Sequence, residues 1–548
     1  MGCAVRAVIG LALIPGFFPS LHAHAQAGPV PGQDASNAGR GQILLVLPFE
    51  NRSGQPSLEW IREAAPEILS NRFASAGFTP MRREDRLYAL DHLGLPAAFH
   101  PSRASSLKLA QTLDADSIVV GSFLMDGSNI VAEAQVVDVP HLRMSPTVTA
   151  RGEMHNMMAV FDSLAWKLTR VMEPGFNVAE ETFVAAGKGV RLDAFEQYVR
   201  GITEPDHAER LRHLNQAVTL SPAFSPAWMA LGREDYAGQQ YEEAATAFAK
   251  VDRNDPDALE AGFYRGLSLL FSGTYPEAEK AFGAVANVLP LAEVLNNEGV
   301  AVSRQGHDGS ALFIAAETAD PNVADYHFNL AVSLERRGST APALAELGQC
   351  LKLHPNDSEA QDLQKEWKRP ASAANAAPGG VDQAGGPETN ADPLERIVRT
   401  FDAAAFRQAA VMMDQMDRSR LDALSPHERA VKLASQAKDF LDRGLLLEAE
   451  RLYQYSVVAD GSLAQAHTGL AEVRERTGDP SAARAEAQAA LELKPSSDAY
   501  LVLGRLDLAA GHLDEAQKDV GQAIQLDPAS KGAQDLKRQI ALKSGRSQ

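Results

Sequence analysis

Residues 225–258, SPAWMALGREDYAGQQYEEAATAFAKVDRNDPDA, decide the fold. Trp228, Leu231, Gly232, Ala244, Phe248 and Pro256 stand at positions 4, 7, 8, 20, 24 and 32 of this 34-residue unit. Two amphipathic helical stretches lie on either side of a Gly-containing turn, and Pro256 stops the second. Small residues at positions 8 and 20 let two antiparallel helices approach closely, while the larger apolar residues fill the space between them. One such pair hides only one face, so a chain built this way completes its core by stacking copies.

Copies follow. Gly266, Gly273, Ala278, Phe282 and Pro290 repeat the spacing, then Gly299, Gly306 and Ala311, then Leu330, Ala331, Gly338, Ala343 and Pro355. After an interruption it resumes with Ala437, Gly444, Ala449 and Tyr453, then Leu470, Ala471, Gly478, Ala483, Ala490 and Pro495. It ends with Tyr500, Leu503, Gly504, Gly511, Ala516, Ala523 and Pro528. The pattern resembles the tetratricopeptide repeat, apart from a missing Tyr in the first full unit. A degenerate earlier unit fits Leu192 to Pro222, and 529–546 read as a capping helix. The first array is expected over 191–369 and the second over 394–546. Between them 370–393, rich in Ala, Gly, Pro and Asn, read as a flexible linker. Within 394–425, Leu394, Ile397, Val398 and Phe401 have helical spacing and, with Met412, Met413 and Met416, predict a divergent helix pair that opens the second array.

Ahead of the repeats, residues 42–173 have a different texture. Ile43 to Phe49 is a continuous apolar run suited to a strand buried on both faces. Helical stretches follow at 58–73 and 105–113. Two strand runs, 117–123 and 130–139, flank the turn Asp126-Gly127-Ser128-Asn129 and predict an antiparallel hairpin. An edge strand at 146–153 and a closing helix at 157–172 complete a small α/β domain. The segments VLPFENRSG (46–54), LGLP (93–96), LDADSIVVGSF (113–123) and VAEAQVVDV (131–139) resemble the TolB amino-terminal-like domain family. That resemblance implies an interaction domain rather than a reaction. The expected fold class is therefore multidomain, a small α/β domain followed by all-α tetratricopeptide-repeat solenoids.

Residues 1–25 have the pattern of a cleaved signal peptide: Arg6, an apolar run from Ala7 to Phe18, and Ala23-His24-Ala25 as a small-x-small site. Residues 26–41 read as a flexible leader. The expected location is exported and periplasmic, with no direct membrane span, because the apolar run is short and broken by Pro15. The 548 residues carry 52 Lys+Arg against 71 Asp+Glu, a net charge of −19, which argues against nucleic acid as a partner. Cys3 and Cys350 are the only cysteines, too few for a disulfide framework or a Cys-rich metal site.

Metal-binding, nucleotide-binding and nucleophile-elbow motifs are missing, so no cofactor, metal or catalytic residue is expected. The loop after the first strand, with Ser53 and Gly54, has the geometry of an anion site but lacks Lys and the phosphate-loop spacing. Cys350 reads as a buried, inert thiol. First-helix positions 2, 5, 9, 12 and 13 line the concave face of such an array. There Met229, Arg233, Tyr236, Phe263, Leu267, Asn296, Arg304, Phe328 and Arg336 predict a groove for a protein or peptide partner. Asp325 stands where the chaperone-tail-binding subtype carries a basic residue, so that ligand is not implied. Corresponding positions of the second array, Gln465, Thr468, Glu472, Glu475, Asp498 and Arg505, are mostly polar. The function expected is a non-catalytic exported scaffold or adaptor, with the α/β domain as a second interaction module. Two alternatives stay open: an accessory factor for envelope assembly or transport within an envelope complex, and an enzyme with a site around Asn51, Arg52 and Ser53. The linker composition also predicts that the two arrays move relative to each other. Limited proteolysis is expected to cut first within 370–393, and first cleavage inside 225–355 would contradict the division.

Overall fold

The computed structural model describes residues 42–96, 103–185, 189–369, 393–402, 416–417 and 419–544. The segments expected to be a signal peptide and leader, the expected linker up to residue 392, and Met412 and Met413 lie outside the described residues.

A single sheet organises the α/β domain. Its strands are β1 (Ile43–Val46), β2 (Glu50–Asn51), β3 (Thr79–Pro80), β4 (Ser117–Asp126), β5 (Asn129–Asp138), β6 (Arg143–Met144) and β7 (Val148–Glu153). The order is β3-β1-β4-β5-β6, with β2 on β4 and β7 on β5. β1 runs parallel to β3 and β4, and β4 pairs antiparallel with β5 from Ser117↔Asp138 to Asp126↔Asn129, the expected hairpin. β1 alternates between two cores. Leu44 and Val46 face α1 (Ile61–Ala76) and the later α4 (Met157–Met172). Leu45 and Leu47 face α2 (Arg83–His92) and α3 (Arg103–Thr112). That two-sided burial is why the strand reads as a continuous apolar run.

A short α5 (Glu180–Ala185) leads into the first array, in which helices pair as α6 (Leu192–Thr203) with α7 (His207–Leu220) and α8 (Ser225–Ala237) with α9 (Tyr241–Phe248). Next come α10 (Ala258–Phe271) with α11 (Tyr275–Ala286), α12 (Ala292–Arg304) with α13 (Ser310–Ala319), and α14 (Ala324–Arg336) with α15 (Thr340–Leu353), closed by α16 (Ser358–Trp367). The second array pairs α17 (Pro426–Asp442) with α18 (Leu446–Ala459), α19 (Ala464–Thr477) with α20 (Pro480–Leu493), and α21 (Ser497–Ala510) with α22 (Leu513–Leu526). It is capped by α23 (Lys531–Ser544).

Two local devices recur, the first within the first array and the second in both. A Cβ on Gly232, Gly266 or Gly299 would sit 2.7–2.8 Å from the ring of Phe248, Phe282 or Phe313, so the first helix lies directly on the aromatic ring of the second. At position 4, a side-chain N–H reaches the carbonyl six residues earlier: Trp228 to Pro222 (2.9 Å), His327 to Pro321 (3.1 Å) and His467 to Gly461 (3.2 Å). Gln361 to Pro355 (2.8 Å) does the same at the start of α16. Trp, His and Gln share little except that donor, which satisfies a carbonyl in the turn between units.

Two expectations need correction. Residues 394–402 do not form a helix that opens the second array; 393–402 lie extended against the first. Nor does the second array stand apart. Leu447 of α18 joins the core of the α/β domain. The buried Glu450 accepts from the Ala179 N–H (3.0 Å) and pairs with Arg474 (2.7 Å), and Gln454 donates to the Asn177 carbonyl (2.9 Å). A carboxylate bound at an inter-element seam holds the bodies in one arrangement, which a flexible tether alone does not.

The glycine-on-ring contact yields a paired test. Gly266→Ala is expected to lower stability by about 1–3 kcal/mol, because the methyl group has no room. Gly348→Ala, in a helix with nothing within 4 Å of its added Cβ, is expected to raise it by about 0.5–1 kcal/mol. Thermal and denaturant melts of the two variants check the opposite signs.

Candidate functional site

The concave face of α10 to α16 holds residues 393–402 as an extended strap. Asn297 donates from Nδ2 to the Val398 carbonyl (2.7 Å) and accepts the Val398 N–H on Oδ1 (3.0 Å). One unit further on, Asn329 does the same for Arg396, at 2.8 Å and 2.6 Å. Asn296 adds a second donor to the Arg396 carbonyl (3.1 Å) and accepts from Asn329 (2.8 Å). All three asparagines are fully buried, and their amides replace the neighbouring strand that an extended backbone otherwise lacks. Glu293 accepts the Asp402 N–H (3.1 Å). The strap runs against the order of the units: Phe401 lies on Phe263 of α10, Val398 on α12 and Arg396 on α14.

Its adjacent Glu395 and Arg396 carry opposite charges and meet partners of opposite sign. The Glu395 carboxylate is fully enclosed, bound by Arg304 Nε (2.9 Å), by Arg336 and by the Ser303 hydroxyl. Arg304 also reaches the Glu395 carbonyl (3.1 Å) and Arg336 the Pro393 carbonyl (2.9 Å). Arg396 lies 3.6 Å from the centroid of the Phe328 ring. Its guanidinium is shared among Asp325 (3.0 Å), Asp357 (2.6 and 3.0 Å) and Glu359 (2.9 Å). The Arg396 bonds hold the Asp357 carboxyl below its ordinary pKa. The ring centroids of Phe401 and Phe263 are 5.4 Å apart, and Leu267 and Tyr236 belong to the apolar cluster that receives Phe401 and Ile397.

Of the nine groove residues expected from the sequence, Phe263, Asn296, Arg304, Phe328 and Arg336 therefore meet the strap directly, while Leu267 and Tyr236 support it. The other two are used elsewhere. Met229 is buried among Ala244, Phe248 and Ala261. Arg233 joins the repeats to the α/β domain, pairing with Glu260 (2.7 Å) and Glu84 (3.5 Å), beside Arg82 on Asp257 (2.7 Å) and Glu260 (2.5 Å). Asn297 and Asn329 escaped the sequence reading although both stand at position 6 of their units; aligning the units at that position brings them out. Asp325 now has a reason: it faces the Arg396 guanidinium of the strap.

Other candidate chemistry resolves into structure. Ser53 donates to Asn51 Oδ1 (2.6 Å) and accepts the Gln55 N–H (3.1 Å), while Asn51 reaches the Gln55 carbonyl (3.1 Å), so the loop caps itself. Arg52 pairs with Glu50 at the exposed surface. Burial pushes the Cys350 thiol up to about 11. Glu317, His327 and Glu346 have metal-ligand spacing, yet Nε2 of His327 faces the Pro321 carbonyl and Nδ1 faces Glu346 (2.9 Å). His467 repeats the arrangement with Glu486 (2.7 Å) and Gly461. A histidine between two oxygen acceptors in equivalent turns is a repeat-stabilising imidazole. In the second array the concave charges pair with one another, as Arg505 does with Glu475 (2.6 Å).

A tetratricopeptide-repeat family model matches residues 229–287 and 435–498. The chain carries tetratricopeptide repeats. A 90-residue stretch is 30% identical to anaphase-promoting complex subunit 3 of Schizosaccharomyces pombe, covering 16% of this chain and 14% of that protein's length. Among solved structures, YrrB, titled a TPR protein with an unusual peptide-binding site, is 18% identical over 32% of this chain and 92% of its own, at a TM-score of 0.30. The LpoB C-terminal domain from Escherichia coli is 18% identical over 22% of this chain and 90% of its own, at a TM-score of 0.20.

Where α1 and α2 meet α6 to α8 and the loop at 255–257, a cavity of about 610 Å³ is lined by Glu67, Arg82, Tyr198 and Arg233. The Tyr198 hydroxyl donates to Glu67 (3.1 Å), and burial, aided by the nearby Glu84, pushes the Glu67 carboxyl up to about 7. Burial raises Asp162 to about 7 as well, against the pull of Arg72. A raised carboxyl pKa means that the folded chain holds protons the unfolded chain has released, so stability falls as pH rises from about 4.5 to 7. Glu67→Gln is expected to shrink that fall by about 1–3 kcal/mol, raising the melting temperature at pH 8 more than at pH 5. Equal shifts at both pH values would contradict the assignment.

Proposed function

We propose that the chain is an exported, non-catalytic scaffold that binds extended segments of protein partners in the groove of its first tetratricopeptide array. Tetratricopeptide proteins are in general interaction scaffolds, and one observation carries the reading here. The groove is furnished with buried amides that hold the backbone of an extended chain at alternate residues. Backbone clamping recognises an extended peptide as such, and the flanking charged and aromatic slots select among sequences. The polar, self-paired concave face of the second array leaves the first as the ligand-binding one. The α/β domain, with its TolB amino-terminal-like segments, is the second interaction module, and the amino-terminal signal pattern supports a periplasmic site of action.

Phe263 and Phe328 are fully buried, so truncating them would disturb folding along with binding. Asn297→Ala combined with Asn329→Ala removes the clamp while leaving the apolar packing. Used as bait in an extract of the native host, the full-length double variant is expected to lose the partners that the wild-type chain captures, while keeping a cooperative melt. Retention of every partner by a folded double variant would overturn the reading.

A further inference from the structure

Residues 393–402 sit in the groove as a ligand does. Leu394, Arg399 and Thr400 remain exposed, so the strap lies on the array rather than inside a core. The features that do enter are each matched. Glu395 fills a slot made by Arg304 and Arg336. Arg396 fills one of opposite sign, with Asp325 and Asp357 around it and Phe328 beneath. Neighbouring residues of an extended chain point to opposite sides, so the two slots are read separately. Exchanging the pair would put a cation against two arginines and an anion against two aspartates, a double repulsion that rejects the reversed order.

We infer that the ligand class of this groove is an extended partner segment with Glu and Arg adjacent in that order, an apolar β-branched residue next, and an aromatic residue five positions beyond the Arg. Residues 393–402 are the resident copy of that ligand, and an incoming segment must displace them. This rests on the peptide-binding reading above and adds to it the ligand's chemistry and its competitor. Because the copy belongs to the same chain, it competes at an effective concentration on the order of millimolar. The wild-type groove is therefore filled, and a partner gains it only by stronger or multiple contacts.

The test uses the full-length chain and a fluorescent synthetic peptide of sequence PLERIVRTFD. Two variants free the groove of its resident copy to different degrees: Glu395→Gln with Arg396→Gln, which removes both charged contacts and loosens the strap, and replacement of 394–402 by a Gly/Ser segment of equal length, which removes it. Both variants are expected to bind the peptide at least roughly tenfold more tightly than the wild type, since the tethered competitor is loosened or gone. They are expected to bind PLREIVRTFD, with the two charges exchanged, at least roughly tenfold more weakly. Equal binding by wild type and variants, or equal binding of the two peptides, would overturn the inference. So would a wild-type dimer lost in both variants, which would assign the groove to the strap of a second copy. If neither variant binds the peptide while the asparagine double variant still loses its partners, this inference falls and the peptide-binding reading stands.

Discussion

The groove of the first array depends on how closely the paired helices of a unit approach. With Gly232, Gly266 and Gly299 lying on the rings of Phe248, Phe282 and Phe313, only the ring of the second helix separates the two helices at that level. That approach sets the spacing between successive first helices and brings their position-6 residues onto one concave line. Without it Asn297 and Asn329 could not hold residues 398 and 396 of one extended strap in register. A packing constraint on one face of the repeat thus becomes a recognition property of the other.

The strap shows why a helical spacing of apolar residues is not sufficient for a helix. Leu394, Ile397, Val398 and Phe401 fall at i, i+3, i+4 and i+7, which reads as an amphipathic helix face. Ile397, Val398 and Thr400 are β-branched and lose rotamer freedom in a helix. Those local preferences are weak. The outcome is decided by the groove, whose amides bond the N–H and carbonyl groups of 396 and 398 and whose arginines neutralise the enclosed Glu395. A helix would satisfy its own backbone but leave those buried amides and charges without partners.

Charge also ties the α/β domain to the repeats. Arg82 and Arg233 converge on Asp257 and Glu260, and Glu450 of the second array reaches back to the Ala179 N–H. The second array consequently packs against the α/β domain, and the VLPFENRSG loop, closed on itself by Asn51 and Ser53, serves as a helix entry.

Much of the fold was legible because its signals are local. The run Ile43 to Phe49, the turn at 126–129 and the periodic Gly, Ala, aromatic and Pro residues each act on near neighbours, and the sheet, the hairpin and the repeat pairs follow from them. Part of the site was legible too, since Asn296, Arg304, Phe328 and Arg336 take their direction from position within a unit. The occupant of the groove was not, because residue 396 meets Asp325 and Asn329 across some seventy positions of chain and residue 398 meets Asn297 across 101. By itself the sequence determined the elements and their pairing. Only the tertiary structure decided that the segment after the linker belongs to the first array, because buried amides and charges distant in sequence find their partners only once the units have stacked.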